Sequence, residues 1–259
     1  MSVTSETRRR LVIVTDTERY SARTTRLQHE AQAVFREALD AAAAEAGLDR
    51  AGWDCQPSGD GELAVLPQDT DEPVLLAGYL AALDAYLRSY NADRAKAARI
   101  RIRLAVNQGL FFTRSRNGFA GDAVNVTARL ADAPALKAAF QHFPAAAVAC
   151  IVSDGIYRDV VAGGYDGVRP EAYRRVRAEI ADKGFAEPAW IRIVGEDVND
   201  VETPLPGDEP AAEPPPTGRP AQPDAGYSGI RVGDVESRGQ LAIGNNATLN
   251  AYRSGKRTR

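Results

Sequence analysis

The apolar positions of the chain recur with two different periods, and the changes of period mark its predicted elements. The run "RLVIVTD" is short and rich in β-branched residues, which predicts a buried strand that stops at Asp16. From residue 21 to 46 apolar residues recur at helical spacing, which predicts a long amphipathic helix that stops at Gly47. The stretch "WDCQPSGDGELAVL" predicts two strands joined by the turn "SGDG", with Asp60 at its tip.

The two periods continue to alternate through the next hundred or so residues. Residues 74–90 repeat the helical pattern, and "RIRIRLAVNQGLFF" alternates strictly at first, as a strand with one buried face does. The stretch "GFAGDAVNVTARLAD" predicts a turn that runs into a helix, "AAVACIVSD" a strand followed by a short helix, and "PAWIRIV" a closing strand. This order predicts an α/β fold, a ferredoxin-like sandwich with additions, with the sheet on one side and the helices on the other.

Composition then divides the chain into four parts. Residues 1–8 are a flexible start and residues 9–195 a folded domain. Eight of the 15 prolines fall between residues 197 and 226, among acids and alanines, so residues 196–226 are predicted to be a disordered linker. Residues 227–259 form a tail of short β-prone pieces between glycines and asparagines, a pattern typical of strands that stack with copies of themselves.

Charge, apolar runs and cysteine content indicate which partners and which compartment to expect. The net charge of −3 gives no bulk attraction to nucleic acid. The apolar run "LVIV" near the N-terminus is too short for a signal peptide or a membrane span. The 2 cysteines are too few for a disulfide scaffold and fit a reducing compartment. We therefore expect a cytoplasmic protein that binds neither nucleic acid nor a membrane.

Three polar sites stand at predicted strand ends or turns. Asp16 ends the first strand, Asp60 lies in the hairpin turn, and Asn125 and Arg129 share one face of a helix because they are four residues apart. Two carboxylates that converge suit Mg²⁺ or Mn²⁺ bound together with substrate phosphates. Two such ions activate an attacking hydroxyl and steady a leaving pyrophosphate, and Arg129 can neutralise charge on phosphorus in the transition state.

Each of these residues also has a simpler interpretation. Asp60 can serve the turn alone, Asp16 can cap the next helix, and Asn125 with Arg129 can form a solvated helix face. Their order along the chain favours the functional interpretation.

The sequence around these residues resembles the class III nucleotidyl cyclases. "DTERYS", from Asp16, is similar to the family motif D-x-x-G-F-[ST], and "QPSGDG", which contains Asp60, to K-x-x-G-D-G. "AGDAVNVTARL" closely resembles I-G-D-x-V-N-x-x-x-R-L, and "ACIVSDGIYRDVV" and "DKGFAEPAWIRIV" resemble the closing strands of the family. The resemblance covers roughly residues 9–195.

The resemblance implies an activity and a role for each matching residue. It implies that a nucleoside triphosphate is converted to a 3′,5′-cyclic nucleotide and pyrophosphate with two Mg²⁺ or Mn²⁺ ions, in a head-to-tail homodimer with its sites at the interface. Asp16 and Asp60 match the metal ligands, Asn125 the residue that orients the ribose, and Arg129 the one that stabilises the transition state. Lys183 falls near a phosphate-binding lysine of some members.

The departures from the family leave the base and the activity open. Gln56 stands where adenylate cyclases have a base-reading lysine, Gly118 replaces its partner, and Arg19 replaces a motif glycine. The base is therefore left unassigned and is not obviously adenine, since Gln56 can both donate and accept and so could read a pyrimidine or guanine. The chain shows some likeness to the bacterial pyrimidine cyclases of anti-phage signalling. The alternative is a catalytically silent cyclase-like module that binds a nucleotide or a partner.

The tail carries a second resemblance. "QLAIGNNATLNAY" is faintly similar to the RIP homotypic interaction motif and to bacterial amyloid signalling motifs. This implies a tail-to-tail partner that shares the Gly/Asn motif and an assembly that recruits the domain, which raises its local concentration. The other interpretation is a solvated, disordered end.

Overall fold

The computed structural model of the chain describes residues 7–115 and 118–208, and these residues form a mixed α/β domain. Eight strands make one sheet: β1 (Thr7–Thr17), β2 (Asp54–Ser58), β3 (Gly61–Val65), β4 (Ile102–Ser115), β5 (Gly118–Ala120), β6 (Val148–Ser153), β7 (Arg174–Ile180) and β8 (Phe185–Ile193). Their order is β2-β3-β1-β4-β6-β8-β7, and β5 pairs with β4. The predicted α/β fold class is confirmed.

The sheet is antiparallel except at its centre. β1 lies between β3 and β4 and pairs with both in antiparallel register, while β4 and β6 run parallel. A parallel pair needs a crossover connection, and the helices that follow β5 provide it. The alternation of β1 places Leu11 and Ile13 on one face and Val12 on the other, and all three are buried.

Four helices of eight or more residues pack on this sheet: α1 (Thr25–Glu45), α2 (Leu80–Asn91), α3 (Asp122–Asp132) and α4 (Pro134–His142). An α-helical turn (Glu72–Val74) and a π-helical turn (Leu75–Tyr79) lead into α2, and a similar pair (Asp154–Ile156, Tyr157–Val161) follows β6. Short 3₁₀ turns occupy Tyr20–Ala22, Arg50–Gly52, Pro170–Ala172, Ala181–Lys183 and Val198–Asp200.

The helices cover both faces of the sheet, so the expectation of a sheet with helices on one side only is wrong. One core packs α1 and α2 against residues such as Ile13 and Leu104, and a second packs α3 and α4 against Ala105 and Ile151. Leu104 and Ala105 are neighbours on β4 and are both fully buried. A strand that is buried on both faces has no solvent side, which is why its alternation misled the prediction.

The packed chain continues past the predicted domain end at residue 195. Val198, Val201 and Leu205 are buried in the second core, and Asp208 forms a single β-bridge with Val176 on the edge strand β7. Arg174 of β7 donates two hydrogen bonds to the Asp208 carboxylate, at 2.9 and 2.5 Å. The first part of the predicted linker, residues 196–208, is therefore an ordered strap, a name we keep for it below.

Some elements were missing from the sequence prediction, and some predictions lie outside the described residues. β5, β7 and α4 were not predicted. The predicted flexible start is described only from Thr7, where β1 begins. The rest of the predicted linker, 209–226, and the tail, 227–259, lie outside the described residues. Within the described part of the chain, no helix has both the length and the apolar character needed to cross a membrane.

We predict that the strap is part of the folding unit. A chain truncated after Gly195 loses three buried apolar side chains, which is expected to remove about 5 kcal/mol of stability. Its thermal unfolding midpoint should therefore fall by about 10 °C. A chain truncated after Asp208 is the control and should unfold at the temperature of the full chain. Equal midpoints for the two truncated chains would contradict this assignment.

Candidate functional site

The fold brings the Asp16 and Asp60 side chains to the same end of the sheet. Asp16 is the penultimate residue of β1, and Asp60 is the second residue of the two-residue turn between β2 and β3. The Thr17 amide donates a 2.9 Å hydrogen bond to the Asp60 carbonyl, which ties the turn to the end of β1. The charge of Asp60 is close enough to contribute to a raised pKa at Asp16.

A glycine makes this close approach possible. Gly61 pairs with Asp16 across the β1–β3 ladder, and a Cβ atom at Gly61 would lie 2.3 Å from the Thr15 carbonyl oxygen. No side chain fits at that distance, so only glycine allows β3 to lie against β1 here. The second glycine of the "SGDG" turn therefore determines where the Asp60 carboxylate lies.

Asp16 is held by an arginine that the sequence analysis did not select. Arg103 of β4 lies opposite Asp16 and donates from Nε and Nη2 to the two carboxylate oxygens, both at 2.8 Å. Burial raises the pKa of Asp16, the Arg103 pair opposes that rise without cancelling it, and the charge of Asp60 adds to it. The bidentate pair fixes the carboxylate in one orientation.

Further arginines hold the segment that follows Asp16. Arg101 donates to Glu18 at 2.7 Å and to the carbonyls of Phe140, Phe143 and Ala146. Arg23 donates to the carbonyls of Ala97 and Arg99, at 3.0 and 2.6 Å. Between these contacts Arg19 adopts a left-handed backbone conformation with φ of 56°. This is a backbone conformation that glycine favours, at the position where the sequence resemblance implies a motif glycine and this chain has an arginine.

Asn125 and Arg129 lie on α3 as predicted, on the face turned away from the core. Asn125 is exposed and Arg129 half-buried, while Val124, Thr127 and Ala131 on the opposite face are buried. The Arg129 guanidinium lies 5.6 Å from the centre of the Phe185 ring. Among the described residues, no hydrogen bond or ion pair engages either head group. Both side chains are therefore available to a ligand.

Lys183 lies near this helix but is already paired. It occupies the turn between β7 and β8, next to Phe185, and its Nζ lies 3.1 Å from an Asp132 carboxylate oxygen at the end of α3. Lys137 of α4 pairs with the same carboxylate, and the two lysines lower the pKa of Asp132 even though burial works to raise it. A phosphate group would have to compete with Asp132 for Lys183.

Gln56 and Gly118 lie on two short strands. Gln56 is exposed on β2, the edge strand of the sheet, where it pairs with Leu63 of β3. Gly118 begins β5 and pairs with Ser115 of β4. The strand order places β3 and β1 between β2 and β4. Among the described strands, β2 and β5 therefore each have a hydrogen-bonded neighbour on one side only.

The donor set around Asp16 and Asp60 suits a hard cation that brings further ligands with it. Two carboxylates converge there, and the described residues contain no cluster of three or more His, Cys, Asp or Glu side chains with metal-binding geometry. Mg²⁺ and Mn²⁺ fit such a set when water and substrate phosphates complete the coordination. The residues present therefore fit a substrate-bound metal better than a permanently held one.

The space beside Asp60 is small in a single chain. The cleft between α1 and the β2–β3 turn, lined by Tyr20, Gln32 and Asp60, has a volume of about 100 Å³. Small-molecule sites usually enclose about 300–1,000 Å³. A larger groove of about 540 Å³ lies between the middle of β4, near Asn107, and the carboxyl end of β6, near Asp154, but none of the predicted site residues lines it.

This sheet, with its helices on both faces, has the fold of class III cyclase catalytic domains. The chain is similar to the solved structure of an adenylate/guanylate cyclase/hydrolase from Silicibacter pomeroyi, with 21% identity and a TM-score of 0.52 over 74% of this chain and 99% of that one. It is also similar to a bacterial light-regulated adenylyl cyclase, with 12% identity and a TM-score of 0.51 over 76% of this chain and 56% of that one. No protein-family model and no curated protein matches the chain. At these identities the likeness shows the fold alone.

We predict that Gly61 is indispensable for the geometry of the two carboxylates. Gly61→Ala places a methyl group against the Thr15 carbonyl, so the β2–β3 turn must move away from β1. The variant should be less stable by about 2 kcal/mol or more, as measured by urea unfolding.

Gly59→Ala is the matched control from the same turn. Gly59 has φ of 55°, but a Cβ atom there meets nothing within 4 Å, so only the backbone conformation costs energy. That cost is about 1 kcal/mol. Equal destabilisation by the two substitutions would contradict the close approach at Gly61.

Proposed function

We propose that the protein is a metal-dependent nucleotidyl cyclase, which converts a nucleoside triphosphate to a 3′,5′-cyclic nucleotide and pyrophosphate. The observation that carries this proposal is the convergence of Asp16 and Asp60 at one end of the sheet, in a fold found in solved adenylate and guanylate cyclases. Neither the fold nor the pair suffices alone, because folds host many functions and two aspartates can meet by chance.

In the proposed reaction, the 3′-hydroxyl oxygen attacks the α-phosphorus, the bond from that phosphorus to the bridging oxygen of pyrophosphate breaks, and the proton of the hydroxyl passes to solvent water. Asp16 and Asp60 hold the divalent ions, which when bound supply the positive charge that activates the hydroxyl and stabilises the leaving group. Arg103 keeps the Asp16 carboxylate in one orientation. Asn125 orients the ribose, and Arg129 donates to the phosphoryl oxygens as negative charge develops on them.

We propose further that two copies of the chain complete each site. Asn125 is exposed, Arg129 is half-buried, and within the described part of one chain neither side chain bonds to the carboxylate pair. The cleft beside Asp60 is also too small for a nucleotide. A head-to-tail homodimer solves both problems, because one protomer brings the metal ligands and the other brings Asn125 and Arg129. Lys183 would assist only after leaving Asp132.

The base is proposed to be other than adenine. Gln56 offers both a donor and an acceptor where a lysine would offer only donors, and Gly118 offers space rather than a side chain. The product would then serve in signalling, with defence against phage as the role that the resemblance to pyrimidine cyclases suggests. The tail, which would recruit the enzyme, lies outside the described residues.

A silent binding module is the second candidate, and one observation favours it. Both Asp16 oxygens already accept hydrogen bonds from Arg103, so a metal ion must share that carboxylate with a guanidinium. A module without catalysis would bind nucleotide without needing a metal.

A product assay separates the two candidates. The purified protein is incubated with ATP, GTP, CTP and UTP separately, with Mn²⁺ or Mg²⁺, and cyclic products are identified by mass spectrometry. We expect one preferred base, and Asp16→Asn or Asp60→Asn should lower the rate by at least about a hundredfold. The exposed Asp69 provides the control, since Asp69→Asn should not change the rate. Nucleotide binding without any product in the presence of metal would favour the silent module.

A complementation experiment tests the shared site. Asp60→Asn and Arg129→Met chains should each be inactive alone. When they are mixed in equal amounts, half of the dimers are heterodimers with one intact site, so about a quarter of the wild-type rate should return. The mixed chains would stay inactive if each site were built within one protomer.

A further inference from the structure

The outer half of the β2–β3 hairpin has little support from the sheet itself. β3 is largely buried and pairs with β1 along its whole length, whereas β2 is an edge strand of five exposed residues that, among the described strands, pairs with β3 alone. Side-chain contacts from outside the sheet therefore help to fix β2 and the turn that joins it to β3. This matters for function because the hairpin turn carries Asp60 and the β2 strand carries Gln56.

Helix α1 supplies that support at two points. Near the tip of the hairpin, Gln32 donates a 3.0 Å hydrogen bond to the Gly59 carbonyl. On β3, just after the turn, Glu62 accepts hydrogen bonds on both carboxylate oxygens from Arg50, at 2.8 and 2.9 Å, and Arg50 also donates to Asp40 of α1 at 2.6 Å. The same guanidinium lies 3.7 Å from the Cys55 sulfur on β2. Arg50 therefore contacts α1 and both strands of the hairpin.

Arg50 is held in this position by burial and by charge. Its side chain is 13% exposed and that of Glu62 9%, and the guanidinium lies 5.2 Å from the centre of the Trp53 ring. Burial works to lower the pKa of Arg50, but the bonds to Asp40 and Glu62 outweigh that effect, so the pKa of Arg50 is raised. Glu62 directly follows Gly61, so the ion pair sits two residues from Asp60.

We propose that Arg50 is a positioning residue of the metal site: by joining Asp40 to Glu62 it fixes the hairpin where the Asp60 carboxylate can share a cation with Asp16. The inference rests on the proposed function, since it presumes that Asp16 and Asp60 hold the metal. Arg50 itself touches neither carboxylate. Its effect on the metal is transmitted through the hairpin backbone, from Glu62 through Gly61 to Asp60.

The experiment measures metal affinity directly, with Mn²⁺ and inorganic tripolyphosphate, which supplies the phosphate oxygens, as the probe and electron paramagnetic resonance of free Mn²⁺ as the readout; the Asp60→Asn chain gives the baseline for Mn²⁺ held by tripolyphosphate alone. The full chain is titrated in the wild-type form and as Arg50→Met, Arg50→Lys and Asp40→Asn. We expect Arg50→Met to weaken Mn²⁺ binding by about tenfold, as is typical when a residue that supports a ligand is lost. Arg50→Lys should recover part of the affinity, because lysine keeps the charge but not the fork.

The matched control is Arg88→Met. Arg88 also lies between two carboxylates, with Asp84 at 2.6 Å and Glu196 at 3.4 Å, but it ties α2 to the residues after β8, away from the hairpin. Its loss should reduce stability and leave the Mn²⁺ affinity within about twofold of the wild type. Hydrogen exchange of the Thr17 amide, which is bonded to the Asp60 carbonyl, should become about tenfold faster in Arg50→Met only.

Each unfavourable outcome has its own meaning. Wild-type affinity in Arg50→Met, or an equal loss in Arg88→Met, would overturn the positioning role and leave the proposed function intact. If the wild-type chain binds Mn²⁺ no better than the Asp60→Asn chain does, the metal site itself is overturned. The positioning role of Arg50 falls with it. If Arg50→Met does not fold, Asp40→Asn decides, since Asp40 is 69% exposed and its loss removes one bond only.

Discussion

The candidate site depends on the contact between two backbones, that of β1 at Thr15 and that of β3 at Gly61. The absence of a side chain at Gly61 lets the hairpin lie against the end of β1, and this contact brings Asp60 next to Asp16. The like charges of the two carboxylates oppose that arrangement. Three contacts hold the arrangement against this repulsion. They are the Arg103–Asp16 pair, the Thr17–Asp60 hydrogen bond and the pair of Arg50 with Glu62. The positions of the two carboxylates are thus fixed by more than one contact, as a preorganised site requires.

Arginine is the residue that connects the separate layers of this domain. Arg103 of β4 holds Asp16 near the end of β1, and Arg101, just before β4, holds Glu18, just after β1. Arg50 joins the hairpin to α1, and Arg174 joins β7 to the strap. Each of these guanidinium groups makes more than one hydrogen bond, mostly to backbone carbonyls or carboxylates. A planar fork with five donors suits this purpose, because one side chain can satisfy several acceptors at fixed angles.

The sequence predicted those parts of the fold and site that depend on local pattern. The tip of the hairpin at Asp60 and the common helix face of Asn125 and Arg129 follow from turn chemistry and helical spacing, and the structure places them there. Arg103 was missed because a charged residue in an alternating strand resembles a solvent-facing one. Its partner lies 87 residues away in the sequence, so only the paired register of β1 and β4 reveals the contact. The strap was missed for a similar reason: its composition is typical of disorder, and the burial of its few apolar residues in the second core depends on contacts far apart in the sequence.

The strap also determines how the domain is attached to whatever follows it. Its last described residue, Asp208, is bonded to Arg174 on β7, at the far edge of the sheet from β2. Three strands, β8, β6 and β4, separate β7 from β1. A pulling force applied to the chain beyond Asp208 would therefore act first on the Arg174–Asp208 ion pair. Asp16 on β1 and Asp60 in the β2–β3 turn lie on the other side of those three strands from the point where this force acts.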